Sequence, residues 1–330
     1  MGRMIDGEWY TAEEQLERDD GGEFDRAETT FRNWIGEDDR FPVDAGRYHL
    51  YVSYACPWAH RTLLTRALKG LEDAISVDVV DPHRVDRGWE FTPEKDGCTP
   101  DSQLDSDYLH EVYAAADPDY TGRVTVPVLW DTERETIVNN ESEEIAKMLD
   151  RFEGDRDVTL YPDGRREEID DLIEDIYDPI NNGVYRAGFA GTQDAYEAAV
   201  TELFDALDRW NDVLADQRYL AGEDLTLADI CMFTTLYRFD EVYHTHFKCN
   251  RRAITDYEHL WPYVRDLYQL PGVADTCRMT HVKNHYYKSH ADINPTGFVP
   301  VGPDPDFEAP HDRDQLPGGP PAALGTVTTA

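Results

Sequence analysis

Two periodicities divide the chain. From about residue 47 to 148, apolar positions fall in short β-branched and aromatic runs with one helical interlude. From about 165 to 290 they recur at spacings of three and four. Arg47–Tyr54 predicts a strand, and Leu63, Leu64, Ala67 and Leu68 predict a helix over 57–70 that closes at Gly70. Ile75–Val80 alternates and predicts a second strand. Strand, helix, strand at this spacing implies a parallel pair with a right-handed crossover. Residues 81–122, rich in Asp, Pro and Gly and holding Trp89, interrupt the pattern. Val124–Asp131 predicts a further strand; Pro127 inside it implies either an edge position or a special turn. Thr136–Asn140 reads as its hairpin partner, and Glu141-Ser142 opens a helix through Met148.

In the second half, Leu203, Leu207, Trp210 and Leu214 form one apolar helical face. Thr226 with Asp229 three residues later resembles a capping box, a device for helix nucleation and not for chemistry. The expected organisation is an α/β thioredoxin-like N-terminal domain plus an all-α C-terminal domain. Residues 1–46 form an ordered extension with aromatic patches (Trp9, Tyr10, Phe24, Phe31, Trp34), 47–155 the thioredoxin-like domain and 160–300 the helical one. Residues 301–330 are a Pro/Gly-rich tail whose last stretch, from Pro320, is expected to be disordered.

Composition alters this picture mainly through charge. The 330 residues carry 68 acidic against 31 basic side chains, a net charge of −37, and only six of the basic residues are Lys. The acid is spread along the chain. Such a surface is a poor match for nucleic acid and for anionic membranes. With 40% hydrophobic residues a substantial core is available, so the charge reads as adaptation to concentrated salt, where self-repulsion is screened. No apolar run approaches a membrane span, and the first residues lack the apolar core of a signal peptide. The five cysteines (56, 98, 231, 249 and 277) have no metal-type spacing, so no metal is expected. Their odd number suits a reducing cytoplasm. Cys231 sits in an apolar helical run and reads as core, while Cys98, Cys249 or Cys277 remains available as a resolving thiol.

The chemistry concentrates at Tyr51-Val-Ser-Tyr-Ala-Cys56-Pro-Trp-Ala-His60. A strand ends at a cysteine, and proline at the first helical position follows it. Unpaired backbone N–H groups and the positive end of the helix dipole favour a thiolate there. Position 59 is Ala, so Cys56 has no partner in a C-x-x-C pair. Any disulfide it forms must be resolved by an outside thiol or by a distant cysteine. His60 reads as structural.

These features together resemble the glutathione transferases. Cys56-Pro-Trp-Ala59 narrows the resemblance to the Xi class, the glutathionyl-hydroquinone reductases, as does Gly122-Arg123-Val-Thr-Val-Pro-Val-Leu-Trp-Asp131. So do Ile137-Val-Asn-Asn-Glu141-Ser142, Asn181-Asn-Gly-Val-Tyr185, Arg238-Phe-Asp-Glu-Val-Tyr243 and Asn284-His-Tyr286-Tyr-Lys-Ser-His. The match runs from about residue 5 to 310. It implies the glutathione transferase fold, a homodimer, and Cys56 as nucleophile. Pro127 would follow a cis bond, leaving the Val126 backbone to pair with a bound peptide-like thiol. Glu141 and Ser142 would hold its γ-glutamyl end, Arg123 a carboxylate, and Trp89 would pack on the thiol. Tyr185, Tyr243 and Tyr286 would line an aromatic pocket, with Tyr185 and Tyr286 as candidate proton donors. Each position also has a plainer reading: Glu141 as a helix start, Arg123 as a surface cation, Trp89 as a loop anchor, the tyrosines as core.

The implied reaction is reductive cleavage of glutathionyl-hydroquinones to hydroquinone and disulfide by a monothiol ping-pong cycle. The thiol co-substrate is glutathione or γ-glutamylcysteine. Two other classes remain open: a general thiol transferase or dehydroascorbate reductase using the same cysteine, and a non-catalytic binding protein on a transferase scaffold. Salt adaptation makes a direct prediction. Transfer from concentrated KCl to dilute buffer should abolish the helical circular-dichroism signal, and an unchanged spectrum would contradict the salt-adapted reading.

Overall fold

The computed structural model describes residues 2–11, 18–26, 29–84 and 86–325, so the final five residues of the expected disordered tail lie outside the described residues. The chain forms two compact units. The first comprises Met1–Gln15, Glu28–Asp155 and Arg278–Val299; the second comprises Leu16–Ala27, Arg156–Cys277 and Pro300–Ala330.

The first unit is built on a sheet of order β4-β3-β5-β6, with β3 Tyr48–Val52, β4 Ile75–Val79, β5 Val128–Asp131 and β6 Thr136–Asn139. β3 pairs parallel to β4 and antiparallel to β5, so it is central, and all five of its residues are buried. That explains its run of Tyr, His, Leu, Tyr and Val in place of an alternating pattern. Helix α1, Pro57–Lys69, begins at the proline and ends at Gly70. Gly70 takes the left-handed φ of 65° that glycine permits, and the Leu71 N–H reaches Arg66 O at 2.9 Å. Helix α3, Ser142–Leu149, follows β6 and packs on α1.

Pro127 is not on an edge. β5 is an interior strand that starts one residue after the proline, so the missing N–H falls outside the ladder, and the Val126–Pro127 bond is cis. The special-turn alternative is the one found. Two elements of this unit escape the sequence pattern. The N-terminal extension begins with a hairpin, β1 Arg3–Ile5 and β2 Glu8–Tyr10. The 81–122 interruption contains helix α2, Leu109–Ala116, whose first turn is capped by Glu111 Oε2 accepting from Asp107 and Tyr108 N–H. Helix α10, Met279–Ser289, also belongs to this unit.

The second unit is helical: α4 Arg166–Ile176, α5 Gly183–Gly188, α6 Gln193–Val213, α7 Leu227–Arg238, α8 Leu260–Tyr268 and the short α9 Val273–Thr276. The predicted face Leu203, Leu207, Trp210, Leu214 is buried, each large side chain contributing about 2 kcal/mol of transfer free energy. The Thr226–Asp229 capping box forms at the start of α7. Asp229 does more than cap. Its carboxylate accepts from Leu220 N, Thr226 N, Thr226 Oγ1 and Tyr263 OH, all within 3.1 Å. Burial raises its pKa to about 6, so at neutral pH these four donors hold a buried anion. The tail is more ordered than expected. Arg313 is buried and donates to the carbonyls of Leu214, Gln217 and Arg218, closing the end of α6, and Leu324 is buried as well. The disorder expected from Pro320 is therefore corrected as far as Gly325. Asp229→Ala should lower the unfolding free energy by about 3 kcal/mol, the cost of stranding several buried donors, measured by denaturant titration in concentrated salt.

Candidate active site

Cys56 occupies the N-cap of α1 in extended conformation (φ −78°, ψ 121°), with its N–H on Ser53 O at 3.1 Å. No acidic residue lies in the first turn of α1. The thiol is half-buried and donates to Val126 O at 3.5 Å. The chain reversal after β3 and the cis-proline turn before β5 thus meet at the sulfur. Two sequence candidates, Cys56 and Val126, are thereby brought into direct contact.

Glu141 and Ser142 stand at the head of α3. The Glu141 carboxylate accepts from Glu143 N and Ser142 Oγ at 3.5 and 3.3 Å, so the plain helix-start geometry is present. Arg61, buried on α1, reaches Ser142 Oγ at 3.5 Å and stacks its guanidinium 4.5 Å over Trp58. It ties the cysteine's helix to the head of α3, a link the sequence reading missed; the signal was an arginine inside an apolar helix. Tyr113 on α2 is a second link. Its hydroxyl donates to Thr125 O at 2.9 Å and accepts from Asn140 Nδ2 at 3.2 Å, and burial pushes its phenol up to about 12. It therefore stays protonated while joining the cis-proline turn to the strand end before Glu141.

Trp89 is buried, stacked on His285 of α10 at 5.1 Å and 18°, with the Arg84 guanidinium 5.5 Å from its ring. Its indole N–H has no acceptor among the described residues. His285 Nδ1–H donates to Pro82 O at 2.8 Å. Arg123 is half-buried, its carbonyl accepting from Tyr120 OH at 2.8 Å. Tyr286 is buried on α10 beside His285 and His290.

Tyr185 and Tyr243 belong to the second unit and meet there, ring centroids 5.9 Å apart, both against Phe247. Each follows or ends a π-helical turn, Tyr177–Asn181 and Phe239–Tyr243. Such turns are frequent at functional sites. Arg26 lies 4.7 Å over the Tyr185 ring. Other residues of the same motifs serve the scaffold. Asn181 Nδ2 donates to Cys231 O and Thr235 Oγ1, and Asp240 accepts from Ile254 and Thr255 N–H. His60 is fully buried in α1.

The family model described as glutathione S-transferase, N-terminal domain, matches residues 55–151, and that for the C-terminal domain matches 193–268. Glutathionyl-hydroquinone reductase YqjG of Escherichia coli (strain K12) is 48% identical over 95% of this chain and 99% of its own length. A solved Xi class GST from Natrialba magadii superposes with a TM-score of 0.90 at 61% identity, covering 96% of this chain and 98% of that one. The chain belongs to the Xi class of glutathione transferases. The glutathione-bound structure of YqjG gives a TM-score of 0.86 at 46% identity, over 95% of this chain and 99% of that one. The thioredoxin-like plus all-helical organisation is thus the fold of the family. Among the described residues no helix is long and apolar enough to cross a membrane, and no group of His, Cys, Asp and Glu is placed to hold a metal.

The five thiols differ in setting. Burial pushes the thiols of Cys98 and Cys249 up, and Cys231 and Cys249 are fully buried. Brief treatment of the folded protein with iodoacetamide at neutral pH should therefore label Cys56 first. Cys231 and Cys249 should stay unlabelled until denaturant is added, as read by peptide mass spectrometry.

Proposed function

We propose that this enzyme reduces glutathionyl-hydroquinones to hydroquinones through a thiol cycle on Cys56. The observation that carries the reading is the half-buried Cys56 thiol at the mouth of α1, 3.5 Å from Val126 O beside the cis proline. It stands in a chain nearly half identical to a glutathionyl-hydroquinone reductase over almost its whole length. The motif lacks a second cysteine, which suits a cycle resolved from outside.

In the first half-reaction the Cys56 sulfur attacks the sulfur of the adduct. The sulfur–carbon bond breaks, its electron pair stays on the aromatic carbon, and a proton supplied there by Tyr185 or Tyr286 completes the hydroquinone. Cys56 is left in a mixed disulfide. In the second, an incoming thiol attacks that disulfide, releasing the symmetrical disulfide and the Cys56 thiolate. The aromatic carbon gains two electrons; two thiols lose them.

The binding roles follow from the local chemistry. The Val126 backbone offers pairing to a peptide-like thiol. Glu141 and Ser142 suit the ammonium and carboxylate of a γ-glutamyl group at a helix head. Arg123 suits a second carboxylate. The buried indole N–H of Trp89, which has no acceptor among the described residues, supports its assignment to the thiol. Tyr185, Tyr243 and Tyr286 supply faces and hydroxyls for the hydroquinone. The co-substrate is glutathione or γ-glutamylcysteine, since the γ-glutamyl grip serves both.

We further read the enzyme as a salt-adapted cytoplasmic homodimer. The −37 charge and the likeness to a protein of Natrialba magadii support the first property. The odd number of cysteines, without metal-type spacing, supports a reducing compartment, and dimerisation rests on the family alone. Release of hydroquinone from a glutathionyl-hydroquinone in concentrated salt, with each thiol in turn, tests the function. Cys56→Ser should lower turnover by roughly a thousandfold or more with the fold intact. Undiminished turnover in that variant would falsify the mechanism, and a folded wild type active only on other disulfides or on dehydroascorbate would point to a general thiol transferase.

A further inference from the structure

The N-terminal hairpin reaches both segments that carry Trp89 and Arg123. Toward Arg123, Met4 N–H donates to Gly122 O at 2.9 Å and Met4 O accepts from Gly122 N–H at 3.1 Å. Gly7 N–H donates to Tyr120 O at 3.0 Å, and Asp6 N–H to Thr121 Oγ1 at 2.9 Å. Tyr120 in turn donates to Arg123 O. The hairpin turn is shaped for this contact. Gly7 has a φ of 77°, and a Cβ there would stand 1.8 Å from Pro118 O. Met4 is buried although its strand has only three residues.

Toward Trp89 the hairpin acts through Trp9. Its indole N–H donates to Asp86 O at 3.1 Å, and Thr11 Oγ1 donates to the same oxygen at 3.2 Å. The Trp9 ring stacks on His110 at 4.8 Å and 20°, and His110 Nδ1 lies 3.1 Å from Arg87 O. Burial lowers the His110 pKa, so the ring is neutral at pH 7 and Nδ1–H can donate to that carbonyl. The Trp9 ring also covers Gly88, where a Cβ would come within 2.9 Å of its edge. Three consecutive residues, Asp86, Arg87 and Gly88, are thus gripped by Trp9 and its stacking partner. The next residue is Trp89.

We propose that the N-terminal hairpin is a positioning element of the thiol site, with Trp9 setting the place of Trp89 through the Asp86–Gly88 backbone. The inference rests on the thiol role of Trp89 proposed above. A hairpin of two three-residue strands is too small to be stable alone, so its order comes from these contacts, and the segments it contacts are ordered in return. Trp9 touches no reacting atom; its effect passes through the loop.

The test is calorimetric titration of the full-length protein, in concentrated salt, with glutathione and with γ-glutamylcysteine. Trp9→Ala should weaken thiol binding by about fivefold to tenfold, and Trp9→Phe, which keeps the stack on His110 and Gly88, should stay within about twofold of wild type. In a Trp89→Phe background, Trp9→Ala should cost no further affinity, a non-additivity that general destabilisation does not produce. His110→Ala removes the stack from its other face, should follow the same pattern, and serves if Trp9→Ala does not fold. Wild-type affinity in both Ala variants, or a loss undiminished in the Trp89→Phe background, overturns the proposal. A wild type that binds neither thiol overturns the thiol-site reading itself, and the positioning role with it; the wild-type titration alone distinguishes that case.

Discussion

The approach of Cys56 to the Val126–Pro127 turn is the constraint on which the rest of the first unit depends. β3 is hydrogen-bonded on both sides, to β4 in parallel and β5 in antiparallel register. Antiparallel pairing brings the end of β3 beside the beginning of β5. The helix that must follow β3 for a parallel crossover therefore starts next to the turn that precedes β5. A cysteine at the first of these points and a proline at the second place a thiol, a helix N-terminus and a bent backbone within one hydrogen-bond distance. The site is a consequence of sheet topology before any side chain contributes.

Around that point the unit spends its polar groups on holding segments together. Tyr113 joins α2 to the cis-proline turn and to the strand end before Glu141. Arg61 joins α1 to α3, and His285 joins α10 to the loop of Trp89. Each is buried, so its hydrogen bonds are made away from water and the cost of breaking them is high. In the second unit the equivalent task falls to Asp229, Asn181 and Asp240, whose carboxylates and amide meet backbone groups at the start of α7, within α7 and at Ile254–Thr255. Long matching motifs thus contain two kinds of residue: a few able to meet a ligand, and many that keep irregular backbone satisfied.

Elements with local signals were legible in the sequence. The strand that precedes Cys56, which ends at Val52, α1 between Pro57 and Gly70, the hairpin after Pro127 and the box at Thr226 all carry short-range chemistry: proline, left-handed glycine, β-branched alternation, a paired cap. Elements that exist through distant contacts were not. β1 and β2 are three residues each and are fixed by Gly122 and Asp86. α2 has eight residues inside an Asp-rich stretch, and the buried Arg313 of the tail answers carbonyls at the end of α6. Proline inside an apolar run had two readings, and only strand order separated them. Of the candidate site, Cys56 with Val126 and Tyr185 with Tyr243 come together within single units, whereas Trp9, Arg61, Tyr113 and His285 had no signal beyond an aromatic or cationic residue in a polar or apolar stretch.

The central claim is that the adduct's glutathionyl sulfur passes to Cys56. The most direct measurement mixes stoichiometric wild-type protein with a glutathionyl-hydroquinone and no free thiol, quenches in acid, and reads the intact and peptide masses alongside the released hydroquinone. The account predicts one glutathionyl group on Cys56 for each hydroquinone released, and its loss on adding glutathione. Hydroquinone released with no mass on Cys56, or with the glutathionyl group on Cys98 or Cys277 from the outset, would contradict it.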